Sequence, residues 1–95
     1  MKLILRQNMQ PFLRDENGHV AMTDGQTDWL VIVTKEALEA ISMPPLADDQ
    51  RLLDHLQSFI EIATFKLERG REGEEKTIWV QSDDIREWQQ ARPQA

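Results

Sequence analysis

Residues 48–70, DDQRLLDHLQSFIEIATFKLERG, restrict the fold more than any other stretch of this chain. Leu52, Leu56, Phe59, Ile60, Ala63 and Leu67 recur at steps of three and four, the spacing that lines one face of an α-helix. Asp48 or Asp49 offers an N-cap, and Gly70 a C′ residue beyond the last turn. Lys66 and Arg69 place positive charge where the helix dipole favours it. Such a helix owes its stability to what its apolar stripe packs on, so the rest of the chain must supply a sheet or further helices.

The supporting elements are legible as strands. Residues 2–6 read as a short edge strand. Residues 7–17 read as a loop that contains Pro11 and tucks Phe12 and Leu13 onto the core. The polar run 14–18 marks a turn, in which Asn17-Gly18 best tolerates positive φ. In residues 19–23, Val20 and Met22 alternate with His19, Ala21 and Thr23, the pattern of a half-buried strand. Asp24-Gly25 is a second turn, and residues 29–33, WLVIV, are apolar on both pleat faces, as in a central strand. These two strands form a hairpin.

Thr34 caps a short helix that carries Glu36 in its first turn and Ala37, Leu38 and Ile41 on its apolar side. Pro44-Pro45 ends it. After the long helix, residues 71–76 are a charged turn and residues 77–81 a final strand with Ile78 and Val80 inward. Ser82 caps a last helix with Asp83 and Asp84 in its first turn, and Ile85 and Trp88 on one side. The predicted class is α+β: a mostly antiparallel sheet of about four strands, one long helix packed on a face, and two short helices. Residues 1–91 form a single domain, and residues 92–95 fray.

Composition narrows what such a domain can do. Its 95 residues include no cysteine, so disulfides and thiolate chemistry are excluded. The N-terminal MKLILRQNMQ lacks the apolar core of a signal peptide, and together these features lead us to expect a cytoplasmic protein. The longest apolar run, residues 29–33, falls far short of the roughly 20 residues of a membrane span. A net charge of −6 argues against direct nucleic-acid binding, which rests on Lys and Arg displacing counterions. Lys66, Arg69 and Arg71 are interleaved with Glu68, Glu72, Glu74 and Glu75, a self-compensating surface.

Catalytic patterns are missing. His19 and His55 lie on different elements and in no metal-ligand spacing. The pairs Asp48-Asp49 and Asp83-Asp84 stand at helix starts and are explained by capping. No nucleophile elbow, P-loop or dinucleotide fingerprint occurs. Asp24, Gln26 and Asp28 have the spacing of a calcium loop, but Trp29 and Lys35 stand where its glycine and final carboxylate belong. We expect no enzyme activity, no cofactor and no metal.

Two surfaces remain as candidates. Ile62 and Phe65 fall off the apolar stripe, with Phe65 nearly opposite its centre. Either the last helix, with Trp88, or the N-terminal loop covers them, or they meet a homodimer mate or another protein. Ile62, Phe65 and Trp88 are therefore the predicted interface of an interaction or adaptor domain. Alternatively, Asp24, Asp28, Glu72, Glu74 and Glu75 form one acidic patch that mimics nucleic acid or inhibits a basic partner.

The run Gly18-His19-Val20-Ala21-Met22, the turn Asp24-Gly25, and the strand from Trp29 leading through Thr34 into Lys35-Glu36-Ala37-Leu38 resemble a small bacterial family, domain of unknown function number fourteen-eighty-eight. Ile60-Glu61-Ile62-Ala63 with Lys66-Leu67, and Asp84-Ile85 after the last strand, extend the resemblance over roughly residues 18–86. Val31 stands where a family cysteine is expected and Thr34 where serine is usual. The resemblance implies a compact α+β bacterial protein and supplies no catalytic residue.

Overall fold

In the computed structural model, which describes residues 3–7 and 9–91, the strand signals assemble into one sheet. Its strands are β1 (Ile4–Leu5), β2 (Phe12–Arg14), β3 (Asn17–Thr23), β4 (Asp28–Val33) and β5 (Thr77–Val80). β3 pairs antiparallel with β4 along one edge, and with β1 and β2 at opposite ends of the other. β5 lies beyond β4 and runs parallel to it. A parallel neighbour requires a long crossover. Here it contains α1 (Lys35–Ala40), α2 (Asp49–Asp54) and α3 (Leu56–Glu68), and α4 (Ser82–Ala91) follows β5. The predicted α+β class and the mostly antiparallel sheet hold, with five strands in place of four. Lys2 of the predicted first strand and the predicted frayed tail 92–95 lie outside the described residues.

The additional strand is β2, within the segment predicted to be a loop. The turn is at Asp15-Glu16, whose φ values of 53° and 70° are those of a type I′ hairpin turn, closed by the pair Arg14 and Asn17. Asn17 and Gly18 belong to β3. The Asn17 side chain accepts the Lys35 N–H at 3.0 Å and ties the start of β3 to the start of α1. Gly18 serves packing: a Cβ there would stand 2.9 Å from Leu52 Cδ1.

The predicted single helix over residues 48–70 is broken at His55, with φ −115° and ψ 19°. Its halves bury against different supports. α2 lays Leu52 over Gly18, whereas α3 packs on β5 and α4 with Phe59, Ile60, Ile62 and Ala63 buried. Asp48 caps α2 by accepting the Arg51 N–H at 2.8 Å. α3 closes in a Schellman motif, with Gly70 at φ 68° and its N–H on the Leu67 carbonyl, and the Arg71 N–H on the Lys66 carbonyl at 2.7 Å.

All helices cover the same face of the sheet. Val20, Met22, Val31, Val33, Ile78 and Val80 point into it and are at most 1% exposed. Against them lie Leu38, Leu52, Phe59, Ala63 and Ile85. α1 has no basic residue in its last turn, and Arg51 from α2 takes that role. Its buried guanidinium donates to the carbonyls of Leu38 at 3.4 Å, Ser42 at 2.8 Å and Pro44 at 2.6 Å. Arg51→Ala leaves these carbonyls without their donor and is expected to cost about 3 kcal/mol in urea unfolding. Arg51→Lys should recover only part of the loss, because one ammonium lacks the reach of the planar fork. An Arg51→Ala chain as stable as wild type would show that these bonds do not hold α1 to α2.

Candidate functional site

The strand register builds a surface on the side without helices. Phe12 pairs with His19, His19 with Ile32, and Ile32 with Trp79, so these four residues form one row across β2, β3, β4 and β5. Because side chains alternate along a strand, the row points away from Val31 and Val33 and from the helices. The Phe12 and His19 rings stack at 5.2 Å, with 10° between their planes. Phe12 is 47% exposed and Trp79 40%. Ile32 is buried yet outside the helix-side core cluster, so its cover comes from its own face of the sheet.

A second row, Ala21, Leu30 and Thr77, lies beside the first and is half-buried. Exposed Ile4 flanks it, opposite Thr23. Around Ala21 and Leu30, a shallow groove is rimmed by Arg6, Met9, Asp28, Glu75 and Lys76. Arg6 and Asp28 pair across it at 3.6 Å.

The sequence reading missed this face. Its signal was present in the alternation itself: the residues between the inward Val20, Val31 and Ile78 are His19, Ala21, Ile32, Thr77 and Trp79, too apolar for an ordinary solvated face.

The predicted interface residues Ile62, Phe65 and Trp88 do come together, around a groove of about 260 Å³ between α3 and α4. Ile62 is 2% exposed, in line with the alternative in which the last helix covers it. α3 meets both β5 and α4, which widens its buried arc beyond one stripe. Phe65 is half-buried with the Arg69 guanidinium 4.2 Å over its ring, and half-buried Trp88 packs against the core.

The groove's charges are paired. Lys66 contacts Asp84 at 2.9 Å, with both side chains largely buried, and also donates to the Trp79 carbonyl. Lys66 thus keeps its predicted place in the last turn of α3 and also ties that helix to β5 and α4. Arg71 pairs with Glu87 at 3.2 Å. The Asp84 carboxylate also accepts the Gln81 N–H at 2.8 Å, so this reach-back closes the start of α4, where Ser82 was predicted to be the cap.

The predicted acidic residues divide. Asp28 and Glu75 share the groove with Arg6 and Lys76, so cations interrupt the carboxylates. Glu72 and Glu74 are exposed in the loop before β5. Asp24 is a turn residue: its carboxylate accepts the N–H groups of Thr27 and Gln26 at 2.8 Å and the Trp29 indole N–H at 3.1 Å. These donors, Thr27 and Gln26 first, hold its pKa below the usual carboxylate value.

Among the described residues, no three His, Asp or Glu side chains converge to hold a metal, and no helix is long and apolar enough to cross a membrane. No protein-family model, curated protein or solved structure matches this chain.

A group whose pKa is lowered by folding contributes stability that is full above the ordinary carboxylate range and is lost as pH falls through the lowered value. Asp24→Ala should therefore be less stable than wild type at neutral pH, with the difference shrinking in strong acid. Carboxyl-carbon NMR should place the Asp24 midpoint below that of a free aspartate, and a midpoint at or above it would refute the assignment.

Proposed function

We propose that this chain is a non-catalytic protein-interaction domain whose working surface is the helix-free face of the sheet. The observation that carries the reading is the row Phe12, His19, Ile32 and Trp79, with its two end aromatics 47% and 40% exposed. Two aromatic side chains left near half exposure on one sheet face are candidate anchors, because aromatic side chains dominate the energetic centres of interfaces. Phe12 and Trp79 are absent from the helix-side core, and each keeps part of its ring open to solvent in the folded chain.

A cytoplasmic setting is part of the proposal and rests on the absence of cysteine. Kinship with domain of unknown function number fourteen-eighty-eight is likewise proposed, on the residues between 18 and 86 named above, and adds no activity. The acidic-inhibitor alternative has weaker support, because Arg6 and Lys76 stand among the carboxylates it would use.

Affinity capture from the native host tests the reading with three baits. Wild type and Phe65→Glu should retain one stoichiometric species, counting a second copy of the chain itself. Trp79→Lys should lose it by about tenfold or more, as expected for an interface anchor. Equal capture by wild type and Trp79→Lys would remove the sheet face from consideration.

A further inference from the structure

We infer that the loop of residues 71–76 and the Lys66 ammonium form a guard on the outer edge of β5, which keeps that strand from pairing with the β5 of a second copy. The guard acts at the edge of the sheet and is independent of what binds its face. The need for it is written in the strand. Thr77, Ile78, Trp79 and Val80 bring no charge, no proline and no glycine, and all four residue types favour extended chain. An unblocked edge of that composition is a template for another strand.

β5 lies beyond β4, and the register fixes which of its backbone groups face outward. The Leu30 and Thr34 N–H groups reach the Lys76 and Val80 carbonyls at 3.0 Å, so Lys76, Ile78 and Val80 turn their backbone groups toward β4. Thr77 and Trp79 turn theirs away, and these are the groups a new strand would use. Most of them are already engaged within the chain. The Thr77 carbonyl accepts the Gly73 N–H at 2.7 Å, and the Thr77 N–H donates to the Glu74 carbonyl at 3.2 Å. The Trp79 carbonyl accepts the Lys66 ammonium.

Both parts of the guard are held in place. Glu75 and Lys76 take φ values of 57° and 56°, left-handed conformations that non-glycine residues adopt at a cost, and this double turn brings the loop back onto Thr77. A Cβ at Gly73 would stand 3.0 Å from the Thr77 carbonyl oxygen, so the close approach of the loop suits glycine. Lys66 comes from the last turn of α3, and Asp84 fixes its ammonium at 2.9 Å with both side chains largely buried. An approaching strand would have to peel the loop away and break the Lys66 contact together. At the opposite edge of the sheet, β1 and β2 are 2 and 3 residues long, and shortness itself limits pairing there.

Sedimentation velocity on the full chain from about 5 to 500 µM, combined with amide hydrogen exchange at Trp79, tests the guard. Lys66→Met frees the Trp79 carbonyl, and Gly73→Pro removes the donor to the Thr77 carbonyl. Each variant, checked for folding by circular dichroism, should self-associate about tenfold or more tightly than wild type. The Trp79 N–H points out of the edge and should exchange about tenfold more slowly in the associated species. Arg51→Ala, destabilised at a site on α2 away from β5, should associate no more than wild type. Gly73→Pro removes no buried charge and decides alone if Lys66→Met does not fold. The guard is overturned if either folded variant associates no more tightly than wild type, if Arg51→Ala associates as they do, or if association leaves Trp79 exchange unchanged.

Discussion

The Arg51 guanidinium reaches from α2 to three carbonyls at and beyond the end of α1, and the arrangement of the crossover depends on that reach. A helix end leaves carbonyls without intrahelical partners, and α1 is too short and too acidic to answer them itself. Supplying the donors from α2 fixes where α2 lies, over Gly18 and β3, with Leu52 in the space a side chain would occupy. From there the chain must still reach β5. A straight helix from Asp48 would keep one support along its whole length, and the break at His55 gives α2 and α3 separate ones. The buried charge is thus satisfied by backbone dipoles, with no carboxylate partner among the described residues, an arrangement that holds elements in place rather than adding large net stability.

That placement makes the molecule one-sided. Every buried apolar side chain of β3, β4 and β5 on the helix side is at most 1% exposed, whereas the opposite side keeps Phe12 and Trp79 near half exposure. Antiparallel sheets commonly leave one face to water, and then alternate apolar with polar residues. β4 does not alternate: Ile32 is as apolar as Val31 and Val33. A strand that is apolar on both pleat faces expects cover on both, and here the helices provide it on one while Ile32 is buried on the other by groups on its own face of the sheet.

Much of this was legible in the sequence, because the alternation of Val20 and Met22, the apolar run of β4, the Thr34 cap and the Gly70 terminus each depend on neighbours close in the chain. What was hidden depends on contacts between distant segments. The turn at Asp15-Glu16 has an aspartate that tolerates positive φ but Glu16 where glycine is usual, so the hairpin leans on pairing across β2 and β3. Arg51 reads as a polar helix position until the end of α1 is placed beside it. Ile62 reads as an off-stripe residue in need of cover, and only α4 laid on α3 shows what gives it. The sheet-face row is distributed over four strands; only Phe12 and His19 are close in sequence, and their pairing needs the β2–β3 hairpin, while Ile32 and Trp79 come from distant segments.

The backbone of β5 bears on whether the edge or the face of the sheet is the better place for the proposed docking. β5 is an edge strand, and edge strands invite pairing with another chain unless they are blocked. The carbonyls of Lys76 and Val80 accept N–H groups from Leu30 and Thr34, which places them toward β4. Those of Thr77 and Trp79 alternate to the outside, and each already has a donor: the Gly73 N–H at 2.7 Å for Thr77 and the Lys66 ammonium for Trp79. An incoming strand would have to displace a largely buried ammonium that is also paired with Asp84. The same Lys66 contact holds the backbone of Trp79 while its ring lies on the open face, so the groove between α3 and α4 acts as a support for the row it does not touch. With its edge occupied and its groove charges paired, β5 presents an aromatic side chain rather than a backbone, so the recognition proposed for this end of the sheet would be face-on.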